Sequence, residues 1–403
     1  MTAFASDGPL AGVRILDFTT MLSGPFATMI LADQGADVLK IEPLNGDYTR
    51  SLGHRQNHIS STYLNNNRNK QSVRVDLKSE GGQMLLKELL AAADVVVENF
   101  RPGVAARLGI DFPKLRSERP DLVSISINGF GDDGPLAATP TYDPLIQAFS
   151  GLASIQGGAD DARPRLIRTI LADKLSALTT AQAITAALVE RERTGRGNHV
   201  SISMLDAVLQ FLWASDMNAH TFVDQPVEED AAASFIDLIY EVRGGHVTIS
   251  VMTDAQWASL CGVLGRDDLI EDPRFVDASA RERNVSDRLA LTQELVRDWQ
   301  GSELLERLSR ADVPCAPVLT RNQMRSHPHI AARSSVFEFD HPIAGAVRQA
   351  APAARFASFD AVGEIRRRAA VIADRDAVLK LRGLTADIIN KADRLGAFGE
   401  GEQ

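Results

Sequence analysis

Short, nearly continuous apolar runs alternate with longer stretches of helical periodicity through the first half of the chain. Val13 to Phe18 is a β-branched run, and the Ser23-Gly24-Pro25 turn opens an apolar helix that continues to Ala32. Gly35 ends that helix, and the chain returns as a strand over 37–42 (DVLKIE). SVRVDL at 72–77 predicts another strand, and Ser79 caps a helix reaching about Ala93. DVVVEN at 94–99 and LVSISI at 122–127 are further strands, separated by a helix start at Pro102-Gly103. Strands apolar on both faces and joined through helices belong to a parallel sheet covered on each side. The expectation is an α/β fold with a doubly wound, Rossmann-like large domain.

The pattern changes after about residue 215. DQPVEEDAAAS at 224–234 is acidic, then alanine-rich, without a useful period, and reads as linker. HVTISV at 246–251 is expected as a lone strand, with helices over 255–264, 286–299 and 302–311. This describes a smaller α+β domain. Strands return at 336–340 and around 346–356, and the tail from Asp360 reads as helix. The expected division is a large domain of residues 1–215 and 330–403, a small domain of 225–320, and linkers at 216–224 and 321–329.

Composition narrows the function classes. Of 403 residues, 43 are Lys or Arg and 53 are Asp or Glu, a net charge of −10 that disfavours nucleic acid or an anionic membrane as partner. No apolar run approaches the length of a membrane span, and the opening MTAFASDGPLAG lacks a secretory pattern. The 2 cysteines, Cys261 and Cys315, are too few and too far apart for a disulfide framework or a zinc ribbon. A cytoplasmic enzyme is expected.

Individual motifs say less than their arrangement. Gly129-Phe130-Gly131-Asp132-Asp133-Gly134 fits G-x-G-x-x-G, but Pro135, Pro140 and Pro144 crowd the place where a helix N-terminus would have to follow. It reads as a turn, not a dinucleotide site. The histidines show no metal spacing, His327-Pro328-His329 reads as a surface turn, and no metal is expected. No serine-hydrolase elbow occurs, and Cys315 in VPCAPV reads as a packed thiol. Asp173 heads a long helix running to about Glu190, where it serves either as an N-cap or as a reactive carboxylate at a helix N-terminus. Arg68, Lys70, Arg74, Lys78, Arg101 and Arg107 form either a solvated face or the wall of a site for a phosphate-rich ligand at the strand ends.

Taken in order, these segments resemble the class III CoA-transferase family, which includes formyl-CoA transferase, carnitine CoA-transferase and the α-methylacyl-CoA racemases. The resemblance runs through PLAGVRILDFTTMLSGP (9–25), ADQGADVLKIEPLNGD (32–47), NRNKQSVRVDLKSEGG (67–82) and ADVVVENFRPGVAARLGI (93–110). YDPLIQAFSG (142–151), ADKLSALTTAQAITAAL (172–188) and TGRGNHVSISMLDAVL (194–209) complete it. Order and spacing persist over about 200 residues; beyond 225 the likeness thins.

The resemblance implies that Asp173 is the nucleophile. CoA contacts fall on Met21, Leu22 and Ser23, on Val75, Asp76, Leu77 and Lys78, on Asn99, Phe100 and Arg101, on Arg107, and on Tyr142 and Asp143. It implies no prosthetic group, with acyl-CoA and a carboxylic acid as substrates, and an interlocked homodimer in which the tail rejoins the large domain. Pro43 and Pro140 stand where formyl-CoA transferase has an arginine and a lysine for the CoA phosphates, which leaves Arg68, Arg74 and Arg101 as replacements. The GFGDDG turn and a small-domain loop are candidates for oxyanion donors. No glycine run like that of formyl-CoA transferase occurs in 225–320, which implies another lid. The racemase branch pairs His with Asp where this chain has Tyr142-Asp143, and a phenol is a poor acid–base group at neutral pH. A CoA-binding protein without turnover would have no use for a carboxylate at 173. The acyl group and the accepting acid stay open among succinate, other dicarboxylates, aromatic acids and carnitine-like acids.

Overall fold

The computed structural model describes residues 6–158, 162–224, 238–369 and 374–399, and these divide into two compact units. The first holds the described residues up to Gly157, those from 162 to Val223, and those from Arg333 onward.

Its elements alternate as the apolar runs require. They are β1 (Arg14–Asp17), α1 (Ser23–Asp33), β2 (Asp37–Glu42), a hairpin of β3 (Arg55–Gln56) and β4 (Ile59–Ser60), α2 (Ser61–Asn67) and β5 (Gln71–Arg74). Then follow α3 (Glu80–Ala92), β6 (Val95–Glu98), α4 (Val104–Arg107), α5 (Phe112–Glu118) and β7 (Val123–Asn128). After these come α6 (Asp143–Phe149), α7 (Leu152–Gly157), α8 (Leu171–Thr194), β8 (His199–Ser203) and α9 (Met204–Trp213).

The sheet order is β5-β2-β1-β6-β7-β8, and every adjacent pair is parallel. All carboxyl ends therefore share one edge. The chain winds outward from β1 through β2 to β5, then restarts on the other side of β1 with β6. Between β1 and β6 two loops leave the sheet in opposite directions, the place where open α/β sheets hold ligands.

Alternate residues of each strand supply separate cores. Ile15, Val38, Val95 and Val97 pack with Leu31 of α1 and Ile184 and Leu188 of α8. Leu16, Leu39 and Val96 face Leu85, Leu86 and Leu89 of α3. Each such side chain contributes about 1.5–3 kcal/mol on full burial. Ser79 accepts from the Gly82 N–H and caps α3, and Gly195 at φ +70° ends α8.

The second unit takes in Gly158–Asp160 and Asp224–Ala332, described at Gly158, at Asp224 and from 238 onward. The expected linker at 224–234 lies outside the described residues apart from Asp224. This unit contains β9 (Ile239–Val242), β10 (Gly245–Ile249), α10 (Asp254–Leu264), α11 (Ala278–Arg283), α12 (Val285–Val296), α13 (Gly301–Arg310), β11 (Cys315–Pro317), α14 (Arg321–Ser326) and α15 (Pro328–Ala332). The strand expected to stand alone is instead the centre of an antiparallel sheet, β11-β10-β9. Val247, Trp257, Leu304 and Leu308 lie in its core. The stretch 321–329, expected as linker, is mostly helical, because Thr320 and Gln323 form a capping box that starts α14. Residues 216–223, also expected as linker, fall in the first unit and include a 3₁₀ turn at Asn218–His220.

The chain then forms the hairpin β12 (Val336–His341) and β13 (Gly345–Ala350), followed by α16 (Ala361–Ala369), α17 (Arg375–Lys380) and α18 (Ala386–Arg394). These belong to the first unit, where Leu379 and Ile389 join the core on the α3 face.

Candidate active site

The loop after β1 is built on buried charge. Asp17, at 0% exposure, accepts from the Thr19 N–H, from Thr28 Oγ at 2.6 Å and from Lys70 Nζ at 2.9 Å. Burial opposes ionisation of Asp17, but Lys70, then Lys40 and the two threonine hydroxyls, outweigh it and hold the carboxyl well below its usual range. Lys40 Nζ donates to the Thr19 carbonyl at 2.6 Å and pairs with Asp47 at 2.9 Å. From the next loop, Asn99 grips Thr20 at both ends: Oδ1 accepts from the Thr20 N–H and Nδ2 donates to its carbonyl, each at 2.8 Å.

Held this way, the chain turns through Met21 at φ +68°, a strained region for a side-chain-bearing residue, and enters α1 at Ser23. Gly24 has no alternative here, since a Cβ would lie 2.3 Å from the Thr19 side chain. Pro25 follows in the first turn, where a backbone N–H has no partner within the helix.

A cleft of about 420 Å³ opens between the loops after β1, β6 and β7 and the start of α8. Met21, Leu22 and Ser23 line it from one side, and Asn99, Phe100 and Arg101 from another. Tyr142, Asp143 and Asp173 complete the predicted residues brought together there.

Asp173 is not the N-cap. That position belongs to Ile170, so Asp173 is the third residue of α8. Its own N–H, one of the unpartnered donors of the first turn, is taken by Asp143 Oδ2 at 3.1 Å. Asp143 is 3% exposed, opens α6, and also accepts from Gln147. Gln147 in turn donates to the Thr169 carbonyl and accepts from the Ile167 N–H, which ties α6 to the segment leading into α8. Ser23, at the start of α1, lines the same cleft, and its hydroxyl and backbone N–H favour the ionised form of the Asp173 carboxyl. Burial, then the charge of Asp143, pushes its pKa up to about 6 despite those donors.

Glu98, at the end of β6, accepts from the Phe100 N–H at 2.7 Å and shapes the turn that presents Phe100 and Arg101. Burial, then the charge of Asp132, raises its pKa to about 7 against the opposing pull of the Ser126 hydroxyl and the Phe100 N–H. The GFGDDG turn is an Asx-type loop in which Asn128 Oδ1 accepts from the Gly131 N–H; the next helix begins only at Asp143.

Five predicted residues stand outside the cleft. Val75 is buried, and the Asp76 N–H donates to the Ala397 carbonyl in the tail. Leu77 packs on the α3-side core, and the exposed Lys78 donates its N–H to Asp76 Oδ1. All four lie at the same carboxyl edge, beyond β5, which is three strand spacings or roughly 14 Å from β6. Arg107 ends α4, exposed, with Nη1 folded back to 3.6 Å from where a Gly103 Cβ would sit.

Of the basic residues suggested for phosphate binding, Arg68 is already committed. It grips Asp33 at 2.7 Å and donates to the Ala350 carbonyl at 2.6 Å, which corrects that expectation. Lys70 is likewise spent on Asp17, Pro25 and Asn67. Arg74 lines a separate cleft with Arg50, Arg55 and His58, and Arg101 remains exposed at the cleft of Asp173. The Asp143–Asp173 and Gln147–Asp143 contacts were not foreseen. Glutamine at the fourth position after Asp143 is a helical i,i+4 pair and could have signalled the second; nothing local signals the first.

Among the described residues no helix is long and apolar enough to cross a membrane, and no cluster of three or more His, Cys, Asp or Glu is placed to hold a metal.

Comparison with known proteins converges on one group. A family model described as CoA-transferase family III matches residues 10–369. An acetyl-CoA:oxalate CoA-transferase of Acetobacter aceti is 34% identical, over 82% of this chain and 86% of its own. A succinyl-CoA:glutarate CoA-transferase of Homo sapiens is 31% identical, over 87% of this chain and 81% of its own. Among solved structures, Rv3272 from M. tuberculosis superposes with a TM-score of 0.78 at 30% identity, covering 88% of this chain and 95% of that one. A CAIB/BAIF family protein from Brucella suis gives 0.75 at 32% identity, covering 88% and 94%.

Proposed function

Because this chain belongs to CoA-transferase family III and moves CoA between an acyl-CoA and a carboxylic acid, we propose that Asp173 carries the group being exchanged. The observation that supports this most is the Asp173 carboxylate itself. It is half-buried in the first turn of α8, it lines a cleft at the switch point of the sheet, and its backbone is anchored by Asp143.

The reaction needs an acyl group to leave sulfur and a new one to arrive without loss of the thioester to water. The Asp173 carboxylate attacks the donor thioester carbonyl; the C–S bond breaks, giving an acyl-aspartyl anhydride and CoA thiolate. The thiolate attacks the aspartyl carbonyl and expels the donor acid as its carboxylate, leaving an aspartyl-CoA thioester. The acceptor carboxylate attacks that thioester, forming a second anhydride and freeing the thiolate again. Thiolate attack on the acceptor's carbonyl then releases the new acyl-CoA and restores Asp173. Dividing the exchange this way replaces one difficult displacement by easier covalent steps.

The neighbouring segments suit the CoA moiety. Arg101 and Arg107 offer guanidinium groups to phosphates, and Phe100 a face to an aromatic base. Val75 to Lys78 offer backbone along the same edge, with Met21, Leu22 and Asn99 nearer the thioester. Asp173→Ala tests the reading: transfer between any competent donor and acceptor falls to background while CoA still binds, and full activity in that variant contradicts it.

A further inference from the structure

Of the seven buried side-chain atoms that lack a hydrogen-bond partner among the described residues, four belong to amides lining one cavity. They are Oδ1 of Asn69, Oε1 and Nε2 of Gln71, and Oε1 of Gln349. The cavity, of about 240 Å³, lies within the first unit among α2, β5, the β12–β13 hairpin and α16. It shares no lining residue with the cleft of Asp173. Gln71 and Gln349 are each only 6% exposed, so bulk water does not complete them. Buried polar groups normally have partners, and three incomplete amides around one space point to an occupant.

The amides fix what that occupant must offer. Asn69 Nδ2 donates to Asp33 at 2.8 Å, and Gln349 Nε2 donates to the Leu64 carbonyl at 3.0 Å. Both partners can only accept, so the unpartnered atom of each amide is its oxygen, an acceptor. Gln71, which opens β5, keeps an acceptor and a donor side by side. His341 in the hairpin accepts at Nδ1 from the N–H groups of Ile343 and Ala344, which leaves its proton on Nε2 as a second donor.

Charge on the wall is already balanced. Arg50 pairs with Glu42 at 2.7 Å, Arg68 with Asp33 at 2.7 Å, Lys70 with Asp17 at 2.9 Å and Arg368 with Glu364 at 2.8 Å. An anion therefore finds no spare cation, and acceptors outnumber donors. Ile59, Leu64, Phe339, Ile343 and Ile365 make much of the remaining surface apolar. These features together suit a flat, uncharged molecule with an amino group beside a ring acceptor. A glutamine amide pairs with such an edge through two bonds, as it does with adenine. The second amino N–H then has the oxygen of Asn69 or Gln349 as acceptor.

We propose that this cavity binds an uncharged amino-heterocycle of the adenine type, with Gln71 pairing to its amino edge, at a site separate from acyl exchange. The base alone is the class, because the phosphates of a nucleotide would meet no unpaired cation on this wall.

Calorimetric titration of the full chain with adenine tests the proposal. It is run in saturating CoA, so that any place for the CoA nucleotide is already filled. One adenine per chain is expected, and purine, which lacks the amino group, should bind at least about tenfold more weakly. Gln71→Leu removes both ends of the central amide and should weaken adenine binding by about the same factor. That variant also removes an unpaired buried amide, so it should unfold no earlier than the wild type and keep its rate of CoA transfer. The comparison of adenine with purine needs no variant and stands even if Gln71→Leu folds poorly. No binding of adenine at millimolar concentration overturns the proposal. Equal affinity for purine, equal affinity in a folded Gln71→Leu, or an adenine-soaked crystal whose cavity holds water alone overturns it as well.

Discussion

The N–H of Asp173 donates to Oδ2 of Asp143 at 3.1 Å, so one buried carboxylate anchors the backbone of another whose own charge it opposes. The sheet edge thus holds two acidic groups at the starts of α6 and α8, where helix dipoles offset part of the repulsion.

A pH dependence follows. With burial and Asp143 raising the Asp173 pKa to about 6, kcat/KM is expected to fall as one proton binds below pH 6. The stability effect has the opposite sign to that of a salt-bridged aspartate. The unfolded group ionises near its ordinary value while the folded one still holds its proton. Stability therefore drops as pH rises from about 4 to 6, and the penalty is fully present above that range. Asp173→Asn should unfold later at pH 8, by about 1–2 kcal/mol, and show no gain below about pH 4. Denaturant titrations of both proteins at the two pH values check this; a variant no more stable at pH 8 than at pH 4 would contradict it.

Asn99→Ala removes both bonds to Thr20 and frees the turn that carries Met21 and Ser23. The expected result is a loss of about 1–3 kcal/mol in stability and at least tenfold in kcat. Steady-state kinetics beside thermal unfolding separate the two. Wild-type kcat would show that the clamp does not position the site.

Lys70 binds Asp17, the Pro25 carbonyl and Asn67 from a buried position. Lys70→Met is expected to cost about 3–5 kcal/mol, because it strands a buried carboxylate rather than deleting a neutral pair. The double variant with Asp17→Asn should regain part of that. A chemical-denaturation cycle measures the coupling, and strict additivity of the two losses would argue against the pair.

Arg107 stands outside the cleft but on the same edge. Its change to Ala should weaken CoA binding by about 1.5–3 kcal/mol, the scale of a hydrogen bond to a charged group. Calorimetry with CoA reads this, and unchanged affinity removes Arg107 from the site.

Much of the sheet was legible because its strands are apolar on both faces. The run 94–99 contains β6, and 37–42 coincides with β2. What escaped was pairing between distant residues. Arg68 and Lys70 read as available cations, yet their partners Asp33 and Asp17 stand 35 and 53 positions away. The antiparallel partners of β10 are short, and one contains Pro317, so neither has a recognisable alternation. Asp173 looked like a cap because aspartate favours that place. Tertiary contact instead lets α8 begin three residues earlier than a cap at Asp173 would, with Asp143 supplying the acceptor that a cap would have provided.

Rapid quenching of the wild-type protein with an accepted acyl-CoA, followed by hydroxylamine or borohydride trapping and peptide mass spectrometry, tests the central claim most directly. The account predicts a modification confined to the peptide carrying Asp173 and absent from Asp173→Ala; an unmodified Asp173 under turnover conditions contradicts it.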